Sequence, residues 1–338
     1  MKILGIESTC DETSCSIVED GEKILSHTIF SQETIHQKFG GVFPEHASRE
    51  HIEKMLPCID RTLQDAGLTL SDIDAIAVAY TPGLMGSILM GVTCAQALSY
   101  TLGIPLIGVN HIEAHLYAAM MGAKKIFPAL GLVVSGGHTF LALIHKIGSY
   151  ELLSTTVDDA VGESFDKVAS MLDLPYPGGP HIERLAQCGD DSKFPFKAGR
   201  VKNLPLHFSF SGLKTNVLYT VQEQSELSEQ TKADIAASFQ RAAFSDICKK
   251  IEAALKQYDC RALYCGGGVT MNQKLRTLLT SHFTNIPCHF PDKNLSLDNA
   301  AMIAGLAFHK KEIPIDQLTP APRTLPATRN GTGTLIFS

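Results

Sequence analysis

The chain has 338 residues, of which 44% are hydrophobic and 19% charged, with a formal net charge of −6. That length exceeds what a single hydrophobic core serves, so two lobes are expected, and the composition excludes wholesale disorder. The negative balance excludes a basic field over the whole surface; a nucleic-acid partner has to be met by a local patch or with a helper protein.

The chain opens on a strand-like run, Met1-Lys2-Ile3-Leu4-Gly5-Ile6, with no secretory pattern before it. Its nine cysteines contain no Cys-x-x-Cys pair, which argues against a zinc ribbon or a thioredoxin-type site and for reduced thiols. No apolar stretch is long enough to cross a bilayer. A cytoplasmic protein with no membrane association is expected.

In chain order, residues 3–25 read as three short strands, with a polar turn, Ser8-Thr9-Cys10-Asp11-Glu12-Thr13, between the first two. Residues 52–66 have helical periodicity, with Ile52, Met55, Leu56, Ile59 and Leu63 on one face. A strand at 75–80 and a Pro82-Gly83 turn follow, then a helix, a strand starting at Ile104-Pro105 and a helix at 112–121. Residues 129–153 repeat the opening pattern: Leu4-Gly5 matches Leu130-Gly131, and Thr13 matches Thr139, without a gap. After residues 158–231, which lie outside the repeat, the second half resumes with a helix at 244–255. A strand at 262–265, the turn Gly266-Gly267-Gly268, an Ile286-Pro287 strand start and a helix at 299–309 complete it. The tail at 315–338 has little periodicity and is expected to be partly ordered at best. Strands alternating with helices imply α/β architecture, and the recurrence implies one unit used twice, with a ligand cleft between the copies.

Three turns suit a nucleotide. They are the polar turn at 8–13, Ser135-Gly136-Gly137-His138-Thr139 at the matching place in the second half, and Gly266-Gly267-Gly268-Val269 followed by Asn272. Glycine lets backbone N–H groups approach an anion closely, and a helix N-terminus offers free N–H groups. A phosphate-binding Gly-x-x-x-x-Gly-Lys loop and a Gly-x-Gly-x-x-Gly dinucleotide fingerprint are both missing.

His111 and His115 stand at i and i+4 in Asn110-His-Ile-Glu-Ala-His, a spacing that places both imidazoles on one helical face. Alternatively, Asn110 caps the helix, Glu113 closes a capping box and the histidines are surface residues. The duplication favours the metal reading. Asp298 falls eleven residues after Pro287, much as His115 falls ten after Pro105, so the other half supplies a carboxylate. Two histidines and one carboxylate suit iron(II) or zinc with positions open to substrate. Glu113, at i+2, faces elsewhere, so this is not the His-Glu-x-x-His arrangement of a peptidase. Asp11 is a candidate base or a turn-capping carboxylate. Lys193, Lys197, Arg200 and Lys202, interleaved with Phe194 and Phe196, form either a contact to nucleic-acid phosphates or a solvated basic loop.

Together these segments resemble the tRNA threonylcarbamoyltransferase family, TsaD in bacteria, of the actin-like ATPase (ASKHA, ribonuclease H-like) superfamily. The resemblance is carried by Gly5-Ile-Glu-Ser-Thr-Cys-Asp-Glu-Thr13, His111-Ile-Glu-Ala-His115, Val134-Ser-Gly-Gly-His-Thr139 and Asp159-Ala-Val-Gly-Glu-Ser-Phe-Asp166. It extends to Tyr176-Pro-Gly-Gly-Pro180, Phe208-Ser-Phe-Ser-Gly-Leu-Lys-Thr215 and Gly266-Gly-Gly-Val-Thr-Met-Asn272. It implies two duplicated actin-like lobes with nucleotide and metal in the cleft. One lobe is 1–126 plus about 299–338; the other is 127–298, with an insertion at about 158–231. It implies transfer of threonylcarbamoyl from threonylcarbamoyl-AMP to N6 of the adenosine at tRNA position 37, in tRNAs reading codons that begin with A, with release of AMP. By matching positions, His111, His115 and Asp298 bind one divalent metal, Fe2+ before Zn2+. Val134, Ser135, Gly136, Gly137 and His138 hold the donor's phosphate and carbamoyl end, and Asp166, Gly179, Glu183 and Asn272 its ribose and adenine. Glu183 stands where the family often has Asp. The expected partners are tRNA and the proteins TsaB and TsaE. The rival reading is an ATP-dependent small-molecule kinase on the same fold.

Overall fold

The structure, a computed structural model, describes residues 1–224 and 227–323. The chain divides into two compact units. One comprises Met1–Lys125, Lys146–Tyr150 and the residues from Phe290; the other comprises Ile126–His145 and Glu151–His289.

The first unit opens with β1 (Lys2–Glu7), β2 (Glu12–Glu19) and β3 (Lys23–Ser31). A short helix α1 (Glu33–His36), helix α2 (Pro44–Ala66), β4 (Ala75–Thr81), α3 (Met85–Leu102), β5 (Leu106–Asn110) and α4 (His111–Ala118) follow. The strand order is β3-β2-β1-β4-β5, antiparallel through β3-β2-β1 and parallel through β1-β4-β5. Strand β1 is buried from Ile3 to Glu7, as a central strand covered on both faces has to be. Helix α2 starts with Pro44 in its first turn, where no hydrogen bond is lost, and stops at Gly67 in the left-handed conformation. Met55, Ile59 and Leu63 face the core as the periodicity implies, but Ile52 and Leu56 are 63% and 64% exposed. The buried face is centred on His51, Cys58 and Thr62 instead, where polar side chains bond to β2 and its turn.

The second unit repeats the plan. Its elements are β6 (Ala129–Val134), β7 (Thr139–Lys146), β8 (Ser149–Thr155), α5 (Val161–Met171), α6 (Gly178–Ala186), α7 (Ser211–Gln222), α8 (Glu229–Leu255), β9 (Leu263–Gly266), α9 (Gln273–His282) and β10 (Cys288–His289). The strand order, β8-β7-β6-β9-β10, is that of the first sheet. Register agrees as well. Gly5 pairs with Ser16, Gly131 pairs with Ala142, and the same displacement along the chain separates the two members of each match. Helices α5, α6 and α7 fall in the segment outside the repeat. Helix α8 begins well before residue 244, at a Ser228 cap, because an alanine-rich stretch extends it. Asn272 is the N-cap of α9, its side chain accepting from Leu275 N–H.

The chain then returns to the first unit with α10 (Ala300–Ala307), which packs on β1, β2 and α4. The approach is close: a Cβ at Gly5 would lie 2.5 Å from the Ala300 carbonyl oxygen. Asp298, expected with the second half, thus belongs to the same unit as the two histidines. The following residues are also docked. Ile313 N–H donates to Leu106, Ala321 N–H donates to Tyr80, and Gln96 donates to the carbonyls of Ile315 and Leu318. On the side of residues 313–321 these bonds use only backbone groups, which leave no periodic signal in the sequence; the rest of the expected tail, 324–338, lies outside the described residues. Among the described residues no helix is long and apolar enough to cross a membrane.

Candidate metal centre and glycine turns

Helix α4 is buried on every side, from His111 to Ala118. Asn110 does cap it, accepting from Ile112 and Glu113 N–H. Glu113 does not close a capping box; its carboxylate is buried beside Lys310, 2.6 Å away. The histidines are therefore not surface residues: His111 is 5% exposed and His115 1%. Their rings meet edge to face with centroids 4.6 Å apart.

Both imidazoles converge on Asp298. His115 Nε2 lies 3.1 Å and His111 Nε2 3.5 Å from Asp298 Oδ1, and one ligand atom from each residue lies within 4.8 Å of the others. Asp298 precedes the α10 cap Asn299, a fully buried residue whose amide donates to the Leu295 and Leu297 carbonyls while its oxygen accepts from Met302 N–H. Ser14 Oγ of β2 accepts from Ala300 N–H. Four bonds thus fix the backbone that aims Asp298.

On the far side of His111, Nδ1 lies 2.9 Å from Glu7 Oε2 and 3.1 Å from Thr9 Oγ1. Glu7 is itself held by Thr9 N–H at 2.6 Å. A carboxylate only accepts, so Nδ1 carries the proton and Nε2 presents its lone pair toward Asp298. Two acceptors facing each other in a buried site need a positive charge between them. A second proton on His111 is one such charge. Burial opposes a charged His111, but the Glu7 and Asp298 carboxylates prevail and hold its pKa well above the ordinary value. Burial likewise opposes the Asp298 carboxylate, yet His111 and His115 hold its pKa well below the usual range. A carboxylate behind a ligating imidazole, fixing tautomer and orientation, is the usual outer support of a metal site. His111, His115 and Asp298 therefore fit a divalent cation, with nitrogen and oxygen donors suited to iron(II) or zinc.

Asp11 lies in the β1–β2 turn. Burial, with the Asp11 and Asp298 charges, pushes the carboxyl of its neighbour Glu12 well above its ordinary pKa. Glu7 and Thr9 were invisible as supports, because nothing local ties them to a histidine 104 residues away.

In the second unit the glycines separate into two kinds. Gly267 has φ +90° and a Cβ there would lie 2.4 Å from the Val134 carbonyl oxygen; Gly162 would meet that of Ser135 at 2.5 Å. These two let the 266–268 turn and α5 close on the end of β6. Gly136, Gly137 and Gly179 have neither a positive φ nor any atom within 4 Å of an added Cβ, so the fold does not require glycine there. Ser135 and His138 close the 135–138 turn through reciprocal bonds, Ser135 N–H to His138 O and His138 N–H to Ser135 Oγ. Asp166 accepts from Gly178 N–H and Glu183 from Gln273 N–H. Asn272 is nearly buried, its amide donating to Gln240. Thr270 is fully buried, its hydroxyl donating to Gly267 O. Lys193, Lys197, Arg200 and Lys202 are exposed, beside Phe194 and Phe196 stacked 5.5 Å apart.

A profile of the TsaD family, tRNA N6-adenosine threonylcarbamoyltransferase, matches residues 23–305. The chain is 56% identical to the tRNA N6-adenosine threonylcarbamoyltransferase of Protochlamydia amoebophila over 93% of its own length and 94% of that protein's. Among solved structures it is similar in fold to T. kodakarensis HypF, with a TM-score of 0.62 and 14% identity, over 91% of this chain and 47% of that one. It is also similar to a ROK hexokinase from Thermus thermophilus, with a TM-score of 0.50 and 15% identity, over 91% and 97%.

Proposed function

The chain belongs to the TsaD family of tRNA N6-adenosine threonylcarbamoyltransferases, and from that premise we propose how its residues serve the transfer. The donor is threonylcarbamoyl-AMP. The acceptor is N6 of the adenosine at tRNA position 37, in tRNAs reading codons that begin with A. A bond forms between N6 and the carbamoyl carbon, the bond from that carbon to the phosphate oxygen breaks, AMP leaves with the oxygen, and N6 loses a proton. The exocyclic amine is a weak nucleophile and the donor is already an activated mixed anhydride, so orientation and charge stabilisation are what the protein must supply.

The observation that carries the reading is the buried focus of His111, His115 and Asp298, with Glu7 behind His111. These residues would hold one divalent ion, iron(II) first and zinc second. When bound, that ion supplies Lewis acidity toward the carbonyl and phosphate oxygens. Glu7 and Thr9 keep the His111 ring oriented, and Asn299 keeps Asp298 in place. Asp11 accepts the N6 proton, a role supported by its place in the turn between β1 and β2. Val134, Ser135, Gly136, Gly137 and His138 bind the phosphate and carbamoyl end, supported by the two glycines that the fold does not need. Gly179, Asp166, Glu183 and Asn272 shape the ribose and adenine contacts. The kinase alternative is not favoured, because the likeness to a hexokinase is one of fold alone.

Lys193, Lys197, Arg200 and Lys202 contact tRNA phosphates. TsaB and TsaE are the protein partners, and exposed apolar residues on neighbouring helices, Ile52 and Leu56 of α2 with Met85 and Leu89 of α3, support docking of a protein on the first unit.

The test is mass spectrometry of tRNA after incubation with threonine, bicarbonate, ATP and the pathway proteins. Wild type yields the modified adenosine. His111→Ala folds, loses metal and transfers nothing; full activity in that variant, with metal absent, removes the ion from the mechanism.

A further inference from the structure

Between β3 and α2 the first unit exposes three aromatic rings. Phe39 is 52% and Phe43 42% exposed, and His46 is exposed beside them. Phe39 stacks on Phe43 with centroids 5.4 Å apart and on His46 at 5.3 Å; Phe43 and His46 are 5.2 Å apart. Two large apolar rings held in solvent, outside any core, mark a binding surface.

The cluster is not a loose loop. His36, fully buried, accepts from Phe43 N–H at Nδ1, so its Nε2 carries the proton and donates to Gln32 Oε1 at 3.1 Å. Gln32, 2% exposed, passes its amide N–H on to Ala47 O. Its backbone N–H donates to Asp11 O at 3.2 Å. One step further along α2, His51 Nε2–H donates to Cys10 O and its Nδ1 accepts from Thr13. Every donor in this buried relay has an acceptor, and the relay ties the aromatic platform to the turn that carries Asp11. Gly40, with φ +68°, needs to be glycine; Gly41 does not, and a Cβ there would meet nothing. Lys38 and Arg49 are exposed on the same segment and form no ion pair among the described residues, while the acidic neighbours are Glu33 and Glu45.

We propose that Phe39, Phe43 and His46 form a stacking platform for the unpaired tRNA bases that flank the acceptor adenosine. The proposal rests on the transferase reading and deepens it. For N6 to reach a buried site the acceptor base must leave the anticodon-loop stack, which leaves its neighbours unstacked. Exposed aromatic rings restore that stacking whatever the base, and Lys38 and Arg49 meet the adjoining phosphates.

The test uses Phe39→Leu/Phe43→Leu in the complete system with partner proteins, keeping apolar bulk but removing the π faces. The KM for tRNA is expected to rise between about fivefold and about a hundredfold, with kcat and bound metal unchanged. In tRNA made abasic next to the acceptor adenosine, wild type loses a similar factor and the double variant loses nothing further; Phe39→Tyr/Phe43→Tyr behaves as wild type. An anticodon stem-loop with 2-aminopurine at the flanking position is quenched on binding wild type and not the leucine variant. An unchanged KM overturns the proposal, as does a loss that disappears at saturating partner protein, which would assign the rings to a protein interface. Quenching does not depend on group transfer, so an enzyme that quenches but leaves tRNA unmodified refutes the transferase reading and spares the platform.

Discussion

Substituting Gly5→Ala tests whether the packing of α10 on β1 places Asp298 for the proposed metal site. The new methyl would lie 2.5 Å from the Ala300 carbonyl oxygen and 2.9 Å from both the Cβ and the N of Ala304. None of these atoms ends a flexible side chain, so the conflict cannot be relieved by a rotamer change. Ordinary contact is about 3.5 Å, which requires α10 to retreat by about 1 Å. Overpacking of this kind costs about 1–3 kcal/mol. Asp298 stands two residues before Ala300 and moves with it, and metal sites tolerate distance errors of only about 0.2 Å. Urea unfolding of the metal-free protein should show the stability loss, and competition with a chromophoric chelator should show metal affinity reduced at least about tenfold, in line with other disturbances around bound ions. Adding Ala304→Gly removes the methyl contact but leaves Ala300 O, so recovery should be partial. A Gly5→Ala protein with wild-type unfolding midpoint and wild-type metal affinity would refute the argument that this close approach positions the carboxylate.

The two kinds of glycine should respond oppositely. Gly136→Ala should leave stability unchanged or raise it by about 0.4–1 kcal/mol while weakening AMP binding by calorimetry, whereas Gly267→Ala, at φ +90°, should cost at least about 1–3 kcal/mol of backbone strain. Equal stability loss in both would break the distinction. Glu7→Gln removes the carboxylate behind His111 and should lower metal affinity by about 10–100-fold without unfolding the protein, which chelator competition and circular dichroism would check together. In the second unit, burial works against the Asp159 carboxylate, but Lys214 and Lys167 hold its pKa below the ordinary 3.8. A depressed folded value contributes stability above pH 3.8 that is lost as the pH falls through the folded pKa. Unfolding midpoints between pH 2.5 and 5 should therefore depend less on pH in Asp159→Asn, and parallel curves would exclude the carboxylate from the acid response.

The duplication was legible because hairpin patterning is local: the alternation around Gly5 and around Gly131 carries the register with it. The histidine pair was legible because i, i+4 spacing on a helix is a fixed geometry, and Asp298 followed from its place in the repeat. What lay outside reach depended on long-range contact. Glu7 supports His111 across the sheet, and Gln32 and His36 join two loops through buried bonds that no periodicity announces. Ile52 and Leu56 fit the apolar stripe of α2 yet face outward, since a stripe read from sequence does not say which of its edges the core covers. Gly136 and Gly267 look alike in a string of letters; only the atoms around each tell a fold requirement from a ligand requirement.

The return of α10 to the first unit sets an order for biosynthesis. Asp298 lies 183 residues beyond His115, so a ribosome has to deliver the entire intervening unit before the third ligand exists. A nascent chain halted earlier carries two imidazoles without their carboxylate, and the groove along β1 at Gly5 stands uncovered. The cluster of His111, His115 and Asp298 thus closes only after the whole second unit has been made.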